Sequence, residues 1–153
     1  MVNVLFVCTG NICRSPMAEY LFLSRIGPNA PWKACSAGLA AVDGLAATET
    51  AIEAMDEIGA NMRKHSSRGL TNKLIDEAAI ILIMTATHAA ELKQRFPKAR
   101  DRVYLLGSFN KNSQEKEISD PVGSSVEVYR RTMNDIAGCV DGLTGYLQSF
   151  QKK

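Results

Sequence analysis

Val2 to Val7 is an almost unbroken apolar run, the pattern of a strand covered on both faces, and it predicts a central strand. From Pro16 to Ile26, Met17, Tyr20, Leu21 and Ser24 fall at helical spacing, with Ser15 as N-cap, Pro16 in the first turn and Gly27-Pro28 as the stop. Trp32 to Ala37 reads as a second short strand, which Gly38 lets the chain leave. Thr48 caps a helix running to about Ile58, with Ile52, Met55 and Ile58 on one face and Gly59 ending it. Thr71 caps a short helix ending near Glu77, and Ala79 to Met84 is a third, doubly covered strand. Thr87 opens a helix that stops before Pro97, and Val103 to Leu106 is the fourth strand. At the end, Ser124 and Glu127 pair as a capping box. Behind them Val126, Tyr129, Met133, Ile136, Val140, Leu143, Leu147 and Phe150 alternate spacings of three and four. That stripe predicts a terminal helix docked on the sheet rather than a dimerising coiled coil. Strands alternating with helices predict an α/β fold: a parallel sheet with helices on both faces and a site at the carboxyl end of the first strand.

Composition adds limits. A chain of 153 residues with 46% hydrophobic content suits a single domain, 1–153, with a proper core. The net charge of +2 is scattered rather than blocked, so neither nucleic acid nor an anionic membrane is expected as a partner. Met1-Val2-Asn3-Val4 lacks a basic stretch and starts a strand rather than a leader, and Ala78 to Met84 is too short to span a bilayer. A cytoplasmic protein is expected, with Cys8, Cys13, Cys35 and Cys139 as free thiols.

The chemistry gathers in Cys8-Thr9-Gly10-Asn11-Ile12-Cys13-Arg14-Ser15, between the first strand and the first helix. A loop wrapped into a helix N-terminus turns backbone N–H groups and the positive end of the helix dipole toward one small volume, which binds oxyanions. Arg14 offers a planar fork to two phosphate oxygens. Positive surroundings of this kind favour a thiolate, so Cys8 is a candidate nucleophile toward phosphorus. The Ser15 hydroxyl can donate to that thiolate, and Asn11 tolerates left-handed backbone. Cys13 lies five residues on in the same loop, where it either fills space or joins Cys8 reversibly on oxidation. The stretch Gly107 to Gly123, which holds Asp120-Pro121, is too long for mere linkage and is suspect as functional. His65 and His88 with the loop cysteines do not form a zinc spacing, so no metal or other cofactor is expected.

CTGNICRS resembles the C-x5-R-S signature of the low-molecular-weight protein-tyrosine phosphatases, placed directly after the first strand as in that family. Ser36-Ala37-Gly38, Lys64-His65-Ser66-Ser67-Arg68 and Ser119-Asp120-Pro121 stand where that family has corresponding motifs. The resemblance implies a flavodoxin-like sheet of four strands in order 2-1-3-4. It also implies phosphorylated proteins as substrates and inorganic phosphate as product. Cys8 would be the nucleophile, Arg14 the phosphate clamp, and Asp120 the acid that protonates the leaving oxygen and then activates water. Thr9, Gly10, Asn11, Ile12, Cys13, Arg14 and Ser15 would cradle the phosphate, with Asn11 tied to Ser36 and His65, and the resemblance favours a redox role for Cys13. Phosphotyrosine is the expected substrate. The alternative, protein-arginine phosphatase of the same fold, carries a threonine where this chain has Ile12. Tyrosine phosphatases of the group usually have two aromatics after the Asp-Pro, whereas Val122 and Gly123 follow here, and the loop after Gly38 also lacks one. Arsenate reduction would need a downstream cysteine pair, which is absent between Cys35 and Cys139. A non-catalytic phosphate-binding module would have no use for Cys8, Arg14 and Asp120 together.

Overall fold

The computed structural model describes residues 2–151. Four parallel strands form one sheet in the order β2-β1-β3-β4: β1 Val2–Cys8, β2 Trp32–Gly38, β3 Ile80–Ile83 and β4 Val103–Leu105. Side chains alternate across a strand, so β1 sends Val4, Phe6 and Cys8 to one face and Leu5 and Val7 to the other. Helices α1 (Arg14–Ile26), α2 (Glu49–Asp56) and α5 (Val126–Gln151) cover the first face, where Met17, Leu21, Phe22, Met55, Ile136 and Val140 pack against Val4 and Phe6. Helices α3 (Asn72–Glu77) and α4 (Ala86–Arg95) cover the second, bringing Ile75 and Leu92 onto Leu5, Val7 and Ile81. Each fully buried side chain of this size stabilises the fold by about 1.5–3 kcal/mol. The expected sheet order and two-sided covering are what the structure shows. Among the described residues no helix is long and apolar enough to cross a membrane.

Thr48 and Thr71 cap α2 and α3 as expected, their hydroxyls accepting from the N–H groups of Ala51 and Leu74. Three starts differ. Helix α1 begins at Arg14, Cys13 holds the cap position without a side-chain bond, and Ser15 lies inside the first turn. Its hydroxyl is committed to Cys8 and Asn11 instead. Helix α4 is capped by Thr85, not Thr87, because the strand before it ends at Ile83 and leaves Thr85 extended. For α5, the N–H of Ser124 closes a turn onto Pro121, so capping passes to Ser125, whose Oγ accepts from Val128 N at 3.4 Å. The expected stripe on α5 is buried from Tyr129 to Leu147, but Phe150 is exposed and packs edge-on against Tyr146. On α1 the buried face is Met17, Ala18, Leu21 and Phe22, with Tyr20 half-buried and Ser24 exposed. A 3-10 turn at Pro97–Arg102 leads into β4, and another at Leu106–Phe109 leaves it.

Candidate active site

The site forms where β1 ends and α1 begins, at the carboxyl edge of the sheet. Cys8 is the last residue of β1 and is buried. The chain must then reverse within five residues to enter α1, and it does so through Asn11, which has φ of 56° and is the one non-glycine residue with positive φ among those described. Asparagine accepts that conformation at lower cost than a branched residue.

Every polar atom of Asn11 has a partner. Its N–H donates to Cys8 Sγ at 3.3 Å, and its carbonyl lies 2.7 Å from His65 Nε2. Its amide Nδ2 donates to Ser15 Oγ at 2.8 Å and to Ser36 Oγ at 2.9 Å, while Oδ1 accepts from Arg68 N at 3.0 Å. Since Asn11 O can only accept, His65 carries its proton on Nε2. Since Ser15 Oγ accepts from Asn11, its own hydrogen is free for Cys8 Sγ, 2.9 Å away. Ser36 in turn donates to Glu19 Oε1 at 2.6 Å. Burial raises the Glu19 carboxyl above its ordinary range, opposed by the Ser36 bond, His65 and Arg68. Arg68 N, Asn11 and Ser15 thus form a run of donors that ends on the sulfur of Cys8, while a second branch from Asn11 through Ser36 ends on Glu19.

Arg14 lies 3% exposed under the loop. Its Nη1 donates to the Ile118 carbonyl at 2.9 Å and its Nη2 stands 3.5 Å from Asp120 Oδ2, while the buried Nε has no partner among the described residues. An unpaired charged donor in a buried place is costly, and it is a position from which a phosphate oxygen would be held. Asp120 is 45% exposed; its Oδ1 accepts from Val122 N at 3.0 Å and from the Cys13 thiol at 3.8 Å. Burial, with Cys8 and Asp120 nearby, pushes the Cys13 thiol up to about 12, so it is a protonated donor at neutral pH.

The structure therefore brings together Cys8, Asn11, Cys13, Arg14, Ser15, Ser36, His65 and Asp120. Thr9 and Gly10 form the rim, and Ile12 folds back over Gly10, its side chain about 3.6 Å from where a Cβ there would stand. Cys35, half-buried, and Cys139, buried, stand outside this group. Sequence reasoning missed four neighbours. Glu19 joins through Ser36 and Arg68 through Asn11 and the Ser36 carbonyl. His88 lies with Nε2 2.7 Å from Thr9 Oγ1, and Thr48 donates to the Tyr129 hydroxyl at 3.4 Å while its N–H holds the Ile12 carbonyl. Of these, only Arg68 left a trace in the sequence, as the end of the Lys64-His65-Ser66-Ser67-Arg68 motif.

A shallow depression lined by Leu23, Pro28 and Trp32 lies at the opposite, amino end of the sheet and carries none of this chemistry. A family model described as low molecular weight phosphotyrosine protein phosphatase matches residues 3–153. The chain is 37% identical over 149 residues to a protein-arginine-phosphatase of Geobacillus stearothermophilus, covering 97% of this chain and 98% of that one. It is 35% identical over 146 residues to the low molecular weight protein-tyrosine-phosphatase Ptp of Acinetobacter johnsonii, covering 95% and 97%. The crystal structure of a low molecular weight protein tyrosine phosphatase from T. tengcongensis superimposes with a TM-score of 0.89 at 33% identity, covering 95% of this chain and 99% of that one. With a family model along nearly its whole length and relatives of this identity, the chain belongs to the low molecular weight phosphotyrosine protein phosphatases, which are phosphoric monoester hydrolases.

Proposed function

We propose that this chain hydrolyses phosphotyrosine in proteins through a cysteinyl-phosphate intermediate on Cys8. The observation that supports it best is the buried Arg14, with a free Nε, beside a sulfur that already receives two hydrogen-bond donors. In the first step Cys8 Sγ attacks phosphorus in line with the ester oxygen, the S–P bond forms, the P–O bond breaks, and Asp120 gives its proton to the phenolic oxygen. Arg14 and the loop N–H groups hold the three equatorial oxygens while charge spreads over them. In the second step Asp120, now a carboxylate, takes a proton from water, the water oxygen bonds to phosphorus, and Cys8 leaves. The Ser15 hydroxyl stabilises the departing thiolate. Cys13 acts only under oxidation: peroxide converts Cys8 to a sulfenic acid with release of hydroxide, and the Cys13 thiol displaces water from it to form a disulfide.

Phosphotyrosine is favoured over phosphoarginine by the surroundings of the mouth. The loop after β2 runs beside the phosphate loop, with Leu39, Ala40 and Thr48 donating to the carbonyls of Cys8, Thr9 and Ile12. On it Val42 and Leu45 are 65% and 46% exposed, and Val122, beside Asp120, is 53% exposed. Together with Ile12, these exposed aliphatic side chains on the flanking loops would suit a phenyl ring, although they lack the stacking of an aromatic wall.

Rapid acid quench during turnover of 4-nitrophenyl phosphate tests the mechanism. Wild type should show a burst of nitrophenol and phosphate on the Cys8 peptide by mass spectrometry. Cys8→Ser should bind inorganic phosphate without a burst, and an undiminished burst in that variant would move the nucleophile elsewhere.

A further inference from the structure

The first turn of α4 touches both halves of the site. Thr85 caps it, its Oγ1 accepting from His88 N at 3.2 Å, so the backbone of residues 85–88 is fixed. From that turn His88 reaches the rim of the phosphate loop, with Nε2 2.7 Å from Thr9 Oγ1. From the other side Glu117 reaches the turn: its Oε2 accepts from Ala86 N at 2.6 Å. A carboxylate on the first N–H of a helix satisfies a donor that the helix itself leaves free and meets the positive end of its dipole. One residue on, Ile118 N donates to the carbonyl of Met84, which directly precedes this turn, and the Ile118 carbonyl accepts from Arg14 Nη1. Asp120 lies two residues beyond. The segment 84–88 thus holds Thr9 on one side and residues 117–118 on the other, spanning sequence separations of 79 and 31 residues.

We infer that this turn registers the nucleophile loop against the acid loop, and that His88 and Glu117 are positioning residues for the two steps of catalysis. The inference rests on the roles given to Cys8 and Asp120 under the proposed function. Its physical content is that the two bonds act on different things. The His88 bond fixes Thr9, whose backbone begins the cradle for the phosphate oxygens, so it governs phosphate binding and every substrate alike. The Glu117 bond fixes the base of the loop carrying Asp120, so it governs proton delivery and shows most where the leaving group needs a proton.

Kinetics with a good and a poor leaving group, 4-nitrophenyl phosphate and phenyl phosphate, together with inhibition by inorganic phosphate, separate these effects. A tenfold change, about 1.4 kcal/mol, is the scale of one such bond. Glu117→Ala should lower kcat/KM for phenyl phosphate about tenfold, leave 4-nitrophenyl phosphate within about threefold, and leave phosphate inhibition unchanged. His88→Ala should lower both substrates equally, about tenfold, and weaken phosphate inhibition in step. Glu117→Gln and His88→Gln, each keeping an atom able to make the same bond, should recover most of either loss. Alanine variants that match wild type, or glutamine variants that lose as much as alanine while the melting temperature falls in step, would overturn the inference. Wild type that turns over neither substrate would overturn the phosphatase reading and this inference with it.

Discussion

Gly38 ends β2 directly beneath the loop from Cys8 to Ser15. A Cβ placed on it would stand 2.5 Å from the carbonyl oxygen of Thr9, 2.8 Å from Ala41 Cβ and 3.1 Å from Asn11 N. Its φ is not in the left-handed region, so the demand for glycine is one of space alone. Gly38 cannot retreat: its N–H donates to Arg68 O, its carbonyl accepts from Leu70 N, and its neighbours Leu39 and Ala40 are bonded to Cys8 and Thr9. In Gly38→Ala the loop must therefore give. Relieving the contact moves the Thr9 carbonyl by roughly 0.7 Å, and a misplacement of about 1 Å in a catalytic array costs on the order of 10²-fold in rate. A loss of roughly ten- to hundredfold in kcat/KM for an aryl phosphate is expected. The overpacking itself should cost about 1–3 kcal/mol, or a fall of roughly 3–10 °C in Tm for a domain of this size. Gly145 gives the contrast: it lies in α5 with nothing within 4 Å of a Cβ, so Gly145→Ala should leave activity unchanged and raise stability by up to about 1 kcal/mol. Both quantities come from a steady-state assay and a calorimetric scan of each variant. Wild-type kcat/KM in Gly38→Ala at an unchanged Tm would refute the claim that the loop is clamped from below.

Two further outcomes follow from the buried groups. The Glu19 carboxyl is raised above its ordinary 4.5, chiefly by burial, so the folded protein holds that proton more tightly than the unfolded chain. Its contribution to stability is thus fully present below about pH 4.5 and is lost as pH rises through the folded value. In Glu19→Gln that slope should vanish, so the urea midpoint of the variant should gain on wild type as pH rises through this window; parallel profiles would contradict the assignment. Cys13, as a thiol of pKa about 12, is a slow but available partner for an oxidised Cys8. Mild peroxide should inactivate the enzyme reversibly by thiol reductant, and Cys13→Ser should make the loss harder to reverse, whereas equal recovery in the variant would remove the protective disulfide.

Where structure follows from neighbours along the chain, it was legible in advance. The apolar runs gave the strands, and Thr48 and Thr71 were found as caps because a hydroxyl accepting from the third N–H onward is a local event. The loop from Cys8 to Ser15 was legible for the same reason, as thiol, glycine, arginine and helix start lie within eight residues. Ser15 shows the limit. Its hydroxyl had two possible uses, capping or bonding Cys8, and tertiary partners decided for the second. Likewise Thr85 and Thr87 are equivalent by sequence, and the choice fell on Thr85 where β3 stops. Glu19, His88 and Glu117 were not legible at all, because each acquires its role from a partner 17 to 79 residues away. A lone charged residue on a helix or loop reads as solvated surface until folding supplies that partner.

The substrate is the central claim, and a direct comparison of kcat/KM on one peptide bearing phosphotyrosine or phosphoarginine tests it. The exposed side chains of Val42, Leu45 and Val122, with Ile12, offer apolar contact to a phenyl ring, and Asp120, 45% exposed beside Val122, is the carboxylate a guanidinium would meet. A preference of tenfold requires only about 1.4 kcal/mol of differential transition-state stabilisation, within the reach of one or two such contacts. Wild type should therefore favour phosphotyrosine, with Ile12→Thr shifting the ratio toward phosphoarginine. Faster hydrolysis of phosphoarginine by wild type would contradict the account and make the chain a protein-arginine phosphatase.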